Sequence, residues 1–543
     1  MNSAQKLLLS GDEAIALGAL HSGVQLGAGY PGTPSTEILE YFSHIGGNAQ
    51  WSPNEKVALE IAIGAAFGGG RALATMKHVG LNVAADPLFT AAYTGVSGGL
   101  VIVSADDPGM ASSQNEQDNR HFAVAAGVPM LEPSDSQEAY DFTRVAYEIS
   151  ERWHTPVLLR VTTRVCHSKT PVVPRPPVTP PNPHFKRDIK SMVMIPAYAR
   201  PAHVRLRAKL KEIEQYHEES PLNLEIRGSS DLGIISSGIG YMHAREAAPE
   251  ASFLKISTSY PLPLKKIAAF AKTVKRCVVV EEGDPYLVDA IRAAGIQVEG
   301  KPEMYRFGEL NVARVRRIVA GDTSPEPVKP PGKPPALCDA CPYRLVYQVF
   351  RKMDLIVTGD IGCYTLGVLS PFEAIDTCVC MGAGITVGLG LRKVLPPEQA
   401  RRVVSVIGDS TFVHSGITGV VDMAYNRPPT GHVVVILDNH TTAMTGRQEH
   451  PGTGRLLNHE PARKLVIEDI CRAAGVDRVH VVEPRAGSDE FETLLKECLD
   501  SGETAVIVAR RPCILLLKDL KKLELKNQPQ TEAQTSCECS CNM

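Results

Sequence analysis

Two short, largely apolar runs in the C-terminal third of the sequence each end beside side chains that could bind a metal. Residues 403–407 precede Gly408 and Asp409, and residues 433–437 precede Asp438 and Asn439. Such runs are typical of buried parallel strands, and open α/β sheets bind ligands where these strands end. Asp409, Asn439 and a backbone carbonyl near Thr441 could give Mg²⁺ three oxygen ligands and leave its other positions to a diphosphate and water. The alternative is two polar turns without a metal, which are common after strands.

Four cysteines in the same third of the chain have spacings that suggest a second inorganic site. Cys338 and Cys341 form a Cys-x₂-Cys pair, Cys363 follows the apolar run "LIVTGD", and Cys513 follows the last apolar run. A lone Cys-x₂-Cys pair is compatible with zinc, thiol redox chemistry or an iron–sulfur cluster. The two later cysteines favour a cluster held by four thiolates. The remaining cysteines before the tail are interpreted as small buried apolar residues, namely Cys166, Cys277, Cys378, Cys380, Cys471 and Cys498.

The elements that position these residues are expected to belong to an α/β protein. Proline-rich stretches at 171–183 and 324–335 divide the 543 residues into three blocks. Apolar runs alternate with helix-like segments, which is typical of parallel sheets flanked by helices. We expect domains at 1–184, 185–323 and 336–522, with a polar tail at 523–543 that is disordered.

The amino-acid composition is compatible with most classes of protein function, but it does not favour nucleic acid or a membrane as a partner. A net charge of −3 does not favour nucleic acid or an anionic membrane as a partner. The N-terminus lacks a secretory apolar region, and no run of about 18 apolar residues occurs. A cytoplasmic location is therefore expected, where the 13 cysteines are better explained as buried residues, catalytic thiols or metal ligands than as disulfides.

Several motifs together carry a family resemblance. The segments "GYPGTPSTE", "NEKVALEIAIGAAFGGG", "SSQNEQDNRHFA", "GDIGCYTLG", "GDSTF…HVVVILDN" and "TTAMTGRQEHPGTG" follow one another in a consistent order. They resemble the α subunits of indolepyruvate:ferredoxin oxidoreductases, within the thiamine diphosphate-dependent 2-oxoacid:ferredoxin oxidoreductase superfamily, over residues 1 to about 520. The resemblance implies a multidomain thiamine diphosphate-binding fold. Its pyrimidine-binding domain would be 1–184, its transketolase C-terminal-like domain 185–323 and its diphosphate-binding domain 336–522.

The resemblance also implies ligands for three cofactors: thiamine diphosphate, Mg²⁺ and one [4Fe–4S] cluster. The expected cofactor-binding residues are Gly408, Asp409, Ser410, Asn439, Thr441, Thr445, Gly446 and Gly382, with Asp409, Asn439 and Thr441 on the metal. The expected cluster ligands are Cys338, Cys341, Cys363 and Cys513. Ser410 replaces the family's usual third glycine, a small change that should not block chelation.

Catalytic residues are expected in the first block. Glu55 matches the glutamate that activates the cofactor's pyrimidine ring, with Glu60 as its rival; the alternative is an acidic residue that merely favours a helix dipole. Thr33 matches the threonine that faces the substrate carbonyl, although Thr33 or Ser35 could instead cap the following helix. Lys77, His78 and Arg120 are candidates for steadying a substrate carboxylate or developing oxyanion. Their alternative is ordinary solvated surface.

The resemblance implies oxidative decarboxylation of a 2-oxoacid, best guessed as an arylpyruvate such as indolepyruvate. The products would be an acyl-coenzyme A and CO₂, and electrons would pass through the cluster to ferredoxin or a partner iron–sulfur protein. A β subunit and a dimer of heterodimers are implied. The alternatives are a non-oxidative thiamine-dependent decarboxylase, which needs no four-cysteine set, and a non-catalytic electron-transfer subunit. Relatives continue into a tail for two more clusters, whereas "CECSC" (Cys537, Cys539 and Cys541) has the wrong spacing, so one cluster is expected.

Overall fold

The computed structural model describes residues 6–327 and 335–517, and it confirms an α/β protein with parallel sheets flanked by helices. Its residues cluster into two compact units. Unit 1 contains the described residues up to 327 together with Gln448–Lys464, and unit 2 contains those from 335 to 447 and from 465 to 517. The predicted tail at 523–543 lies outside the described residues.

Unit 1 alternates strands and helices along most of its length. Its strands are β1 (Leu7–Ser10), β2 (Leu26–Gly29), β3 (Ala49–Trp51), β4 (Ala72–Lys77), β5 (Leu100–Asp106), β6 (Met130–Leu131), β7 (Val157–Thr162), β8 (Lys169–Val172), β9 (Glu225–Ile226), β10 (Ser229–Ser236), β11 (Ala251–Lys255), β12 (Thr258–Tyr260) and β13 (Arg276–Val280). Its helices are α1 (Gly11–His21), α2 (Thr36–His44), α3 (Glu55–Phe67), α4 (His78–Val83), α5 (Ala85–Thr94), α6 (Arg120–Ala126), α7 (Ser136–Trp153), α8 (Thr163–His167), α9 (Ile189–Met192), α10 (Pro196–Glu219), α11 (Gly238–Ala247), α12 (Leu264–Ala271), α13 (Tyr286–Ala293) and α14 (Val312–Ala320).

The main sheet of unit 1 has seven strands in the order β12-β6-β7-β5-β4-β2-β3, all parallel except β12. Every residue of β5 is buried because helices cover both faces, which explains the apolar run at 100–103. Separate apolar cores lie on the two faces. A second sheet has the order β13-β10-β11-β9, and β1 pairs with β8. The strand β12 joins the main sheet from the segment that the sequence pattern assigns to the middle domain.

Unit 2 is built on one fully parallel sheet of six strands in the order β15-β14-β16-β17-β19-β18. Its strands are β14 (Ile356–Gly359), β15 (Thr377–Cys378), β16 (Val403–Gly408), β17 (His432–Asp438), β18 (Arg478–Val482) and β19 (Thr504–Arg510). Its helices are α15 (Tyr343–Lys352), α16 (Ala383–Val394), α17 (Pro397–Ala400), α18 (Asp409–Thr411), α19 (Ile417–Tyr425), α20 (Ile467–Ala473) and α21 (Glu490–Ser501). The central strands β16, β17 and β19 are nearly all buried, so the carboxyl ends of β16 and β17 are held at one edge.

One segment lies elsewhere than the sequence pattern suggests. Gln448–Lys464 clusters with unit 1, although it falls inside the stretch 336–522 expected to form one domain. Leu457 joins an apolar core of unit 1, and the Gln448 amide donates a hydrogen bond to Glu40 at 2.8 Å. Within the described residues, no helix is both long enough and apolar enough to cross a membrane.

Candidate active site

The carboxylate of Asp409 is fixed at the end of β16 by backbone donors. It is only 3% exposed. One oxygen accepts a hydrogen bond from the N–H of Ser410 at 2.9 Å, and the other accepts from the N–H of His440 at 2.9 Å. Because β16 and β17 pair in parallel, with Gly408 opposite Leu437, the loops that follow the two strands meet at this edge.

The loop after β17 brings the other predicted metal ligands to the same edge. The side-chain oxygen of Asn439 accepts from the Thr441 N–H at 3.0 Å. The Thr442 hydroxyl donates to that of Ser410 at 2.8 Å, so the serine that departs from the family's glycine ties the two loops together. Thr445 and Gly446 follow in the same loop, and Gly446 has a φ of 130°, which favours glycine.

Charge at this edge suits a divalent cation. Burial, with a contribution from Asp409, raises the pKa of the Asp438 carboxyl. Arg510 donates to Asp438 at 2.6 Å and stabilises that carboxylate. The remaining carboxylate, Asp409, and the amide oxygen of Asn439 are hard oxygen donors of the kind Mg²⁺ prefers. The residues present therefore fit Mg²⁺ and a diphosphate.

A glycine-rich turn before α16 forms a second wall, and sequence reasoning missed the residue that holds it. The Asp360 carboxylate accepts from the N–H groups of Gly382 at 3.0 Å and Gly384 at 2.9 Å. Gly382 has a φ of 87°, and a Cβ there would come within 2.4 Å of Ser415. Burial raises the pKa of Asp360 to about 6. Asp360 thus acts as a positioning residue for the predicted cofactor-binding turn.

The four predicted cluster cysteines converge in unit 2. Burial, together with the nearby thiols of Cys513, Cys338 and Cys341, raises the pKa of Cys363 to about 11. The backbone N–H of Cys513 donates to the Asn439 carbonyl at 3.1 Å, which attaches this cysteine directly to the predicted metal loop. None of the ten described cysteines forms a disulfide.

Among the described residues, the four sulfurs do not form a preformed tetrahedral zinc site. In the described parts of the chain, no three of these sulfurs lie within 4.8 Å of one another. Zn–S bonds of about 2.3 Å would place tetrahedral ligands about 3.8 Å apart.

Two other cysteines are not where the sequence interpretation put them. Cys378 and Cys380 were interpreted as buried apolar residues, but both are exposed. Cys378 lies in β15, a two-residue edge strand that leaves its side chain uncovered, and Cys380 lies just after that strand. Cys166, Cys277, Cys471 and Cys498 are buried, as expected.

Tyr343 interacts electrostatically with the cysteines and with the acidic edge, which we define as Asp409 and Asp438 at the ends of β16 and β17. This residue begins α15, and its hydroxyl is buried without a hydrogen-bond partner within the described residues. Burial raises its pKa, and further contributions come from Asp409, Asp438, Cys341 and Cys513. Its ring therefore lies near both predicted sites, a placement that no local sequence signal gives.

The predicted catalytic residues of the first block meet in unit 1. Glu55 begins α3 and is 3% exposed, while the preceding Asn54 side chain caps the helix by accepting from Val57 N–H at 2.9 Å. A Cβ on Gly80 would lie 2.7 Å from the Glu55 carboxylate, so this carboxylate packs against α4. The rival Glu60 is instead exposed and paired with Lys56. Burial and surroundings favour Glu55 over Glu60 as the functional carboxyl.

The ring of His78 is fixed by a backbone carbonyl. Its Nε2 contacts the Asn115 carbonyl at 3.0 Å, so Nε2 carries the proton, and its buried Nδ1 has no partner in the described residues. Burial lowers the pKa of His78. The Asn119 amide fixes the backbone there by donating to the His78 carbonyl at 3.1 Å.

Lys77 and Thr33 lie on neighbouring loops. Lys77 donates to the Ser112 carbonyl at 2.9 Å, and burial lowers its pKa while Asp107 and Glu55 oppose that shift. A Cβ on Gly32 would lie 3.1 Å from the Lys77 side chain, which places the Thr33 loop beside it. Ser35 occupies the N-cap position of α2 without capping it through its side chain.

The surroundings of Arg120 differ from those expected of a residue that binds a substrate carboxylate. It is fully buried and pairs with Asp118 and, at 2.7 Å, with Glu281. Arg160 extends this network to Asp106 at 2.7 Å. A substrate carboxylate would have to displace buried carboxylates, so the structure favours a role for Arg120 in holding the loop that carries Asn119.

The chain is similar to several known proteins. The thiamine diphosphate-binding model of pyruvate flavodoxin/ferredoxin oxidoreductases matches residues 17–220. The model of the C-terminal TPP-binding domain of thiamine pyrophosphate enzymes matches residues 360–509. A solved 2-oxoglutarate:ferredoxin oxidoreductase from Magnetococcus marinus has the same fold over 58% of this chain and 65% of that one, with 17% identity and a TM-score of 0.50. These matches define a thiamine diphosphate-dependent 2-oxoacid:ferredoxin oxidoreductase.

Relatives that match almost the whole chain identify one family within this class. The chain is 40% identical to the indolepyruvate oxidoreductase subunit IorA of Archaeoglobus fulgidus over 98% of its own length and 91% of that relative. It is 38% identical to the corresponding subunit of Pyrococcus horikoshii over 99% of its length and 91% of that relative. The chain therefore belongs to the family of indolepyruvate oxidoreductase IorA subunits.

Proposed function

We propose that this chain catalyses the oxidative decarboxylation of an arylpyruvate in complex with a partner subunit. The 2-oxoacid and coenzyme A would give an acyl-coenzyme A, CO₂, one proton and two electrons. Bound thiamine diphosphate would supply the carbon nucleophile and electron sink that decarboxylation requires. The arylpyruvate preference rests on relatives that are named indolepyruvate oxidoreductase subunits.

The chain's own residues have distinct roles in this proposal. Asp409, Asn439 and the Thr441 carbonyl hold Mg²⁺ against the diphosphate, and Gly382, Gly408, Ser410, Thr445 and Gly446 form the surrounding wall. Glu55 holds a proton on the pyrimidine ring and so assists acid–base steps. Thr33, Lys77 and His78 face the substrate, where Lys77 favours its carboxylate and the Nδ1 of His78 is the atom at which this ring can take up a proton.

The observation that carries the oxidative assignment is the attachment of the cysteine set to the acidic edge. The Cys513 N–H donates a hydrogen bond to the Asn439 carbonyl at 3.1 Å. Acidic residues of the edge and cysteines of the set both contribute to the raised pKa of Tyr343. A [4Fe–4S] cluster on Cys338, Cys341, Cys363 and Cys513 would accept electrons one at a time and pass them to ferredoxin or another iron–sulfur protein. A non-oxidative decarboxylase has no use for such a cluster.

The proposal is tested with the complex of this chain and its co-expressed partner subunit, purified without oxygen. Indolepyruvate, phenylpyruvate, pyruvate and 2-oxoglutarate are each supplied with thiamine diphosphate, Mg²⁺, coenzyme A and a viologen acceptor. We expect acyl-coenzyme A formation and acceptor reduction, with the highest kcat/KM for an arylpyruvate. Aldehyde release without acceptor reduction would indicate the non-oxidative alternative, and no CO₂ from any acid would indicate a non-catalytic subunit.

A further inference from the structure

A buried carboxylate in unit 1 has no explanation in the proposed reaction. Asp12, near the start of α1, is completely buried; within the described residues neither of its oxygens accepts a hydrogen bond from an N–H or O–H group, and the neighbouring Cys166 offers a neutral thiol that brings no positive charge. The neighbouring Ser10 and Glu13 satisfy each other in a capping box and offer Asp12 no donor. Because burying an unpaired carboxylate is costly, such a group calls for a ligand that compensates its charge.

The surroundings of Asp12 include two further groups that can ligate a metal. One oxygen of Asp12, one oxygen of Glu37 and one ring nitrogen of His167 all lie within 4.8 Å of one another. The three residues line an open cavity of about 430 Å³. They come from the starts of α1 and α2 and the end of α8; Glu37 and His167 are exposed, so ions can reach the cavity that the buried Asp12 also lines.

The electrostatics of this cavity favour a cation. Asp12 and Glu37 bring two acidic side chains within 4.8 Å of each other. Glu13 and Glu40 also line the cavity, while its lysine, Lys169, pairs with Glu13 at 3.1 Å. A cation would offset the repulsion between Asp12 and Glu37, and no cationic side chain reaches Asp12 in the described residues.

We propose that Asp12, Glu37 and His167 bind a divalent transition-metal cation. An imidazole nitrogen beside two carboxylates suits Zn²⁺, Mn²⁺ or Fe²⁺ better than Mg²⁺, which prefers an all-oxygen shell. None of these residues belongs to the predicted Mg²⁺ or cluster sites. Since Glu37 lies four residues after Thr33, the metal would anchor the first turn of α2 behind the loop that carries Thr33.

Mn²⁺ is a suitable probe because its free and bound forms are distinguished by electron paramagnetic resonance. The full complex, loaded with thiamine diphosphate in excess Mg²⁺, is titrated with Mn²⁺ and its thermal midpoint is followed. We expect saturable binding that raises the midpoint. Asp12→Asn, Glu37→Gln and His167→Gln should each weaken binding by more than about tenfold, the lower end of the loss seen when groups that merely support metal ligands are removed.

Two controls keep the result interpretable. Asp12→Asn is nearly isosteric and removes a buried charge, so without Mn²⁺ its midpoint should equal or exceed that of the unsubstituted chain, which excludes misfolding as the cause of lost binding. Glu60→Gln, an exposed change elsewhere in unit 1, should leave Mn²⁺ affinity unchanged. Absence of saturable binding, or affinity insensitive to all three ligand substitutions, would overturn the proposal. An equal loss in Glu40→Gln would also overturn it, since that would indicate general attraction to an acidic cavity.

Discussion

The acidic edge of unit 2 and the Glu55 region of unit 1, which comprises Glu55, Lys77 and His78, hold their predicted site residues by different means. At the edge, Asp409 is fixed by N–H groups of residues next to it in sequence or on the adjoining loop. In the Glu55 region, the backbone at His78 is fixed by the side chain of Asn119, 41 residues away. The first site is therefore built by backbone topology and the second by a buried side-chain network.

The difference has a chemical consequence. Backbone donors fix both oxygens of Asp409 in place, which suits a metal site. Burial in unit 1 instead changes the pH at which side chains gain or lose a proton, because it lowers the pKa values of both Lys77 and His78. Substitutions should therefore affect cofactor retention at the edge and turnover or pH response in the Glu55 region.

The largest effect is expected for Glu55→Gln. This change should preserve cofactor binding but lower kcat by about 10²- to 10⁴-fold, because acid–base assistance contributes that range. Glu60→Gln, one turn along the same helix and exposed, is the matched control and should keep full activity. Steady-state kinetics with cofactor saturation measures both. A large loss in Glu60→Gln and none in Glu55→Gln would identify the other carboxylate.

Asp409→Asn should act on binding instead. Removing one partner of a buried charge pair costs about 3–5 kcal/mol, so affinity for thiamine diphosphate with Mg²⁺ should fall by about 100-fold or more. Isothermal titration of the cofactor-free protein measures this loss. Glu398→Gln, an exposed change in unit 2, should bind normally. Retention of the cofactor by Asp409→Asn would mean that the acidic edge is not the metal site.

A smaller effect concerns pH and His78. Burial lowers its folded pKa below the ordinary value of about 6.5, so the unfolded chain binds protons first as pH falls. The free energy of unfolding should thus decline below about pH 6.5, with a slope from His78 of at most about 1.4 kcal/mol per pH unit. Urea titrations of His78→Gln should show a shallower slope between the folded and unfolded pKa values. An identical slope would show that His78 titrates normally.

The parts of this account that the sequence could predict are those that depend on local pattern. The apolar runs before Asp409 and Asn439 predict that these residues lie at the carboxyl edge of a parallel sheet. The alternation of such runs with helix-like segments predicts the fold class. Roles that depend on tertiary contacts had no such signal. Asp360 and Tyr343 gain their roles from residues far away in sequence. Arg120 resembles a surface cation in sequence, yet the fold buries it among carboxylates.

The central claim is that the four cysteines hold a redox cluster that substrate reduces. Electron paramagnetic resonance of the anaerobic complex, recorded after adding indolepyruvate, thiamine diphosphate, Mg²⁺ and coenzyme A, tests this most directly. We predict a reduced [4Fe–4S] signal that depends on the 2-oxoacid, disappears in Cys513→Ser and persists in the exposed control Cys378→Ser. An unchanged signal in Cys513→Ser, or no signal with any 2-oxoacid, would contradict the account.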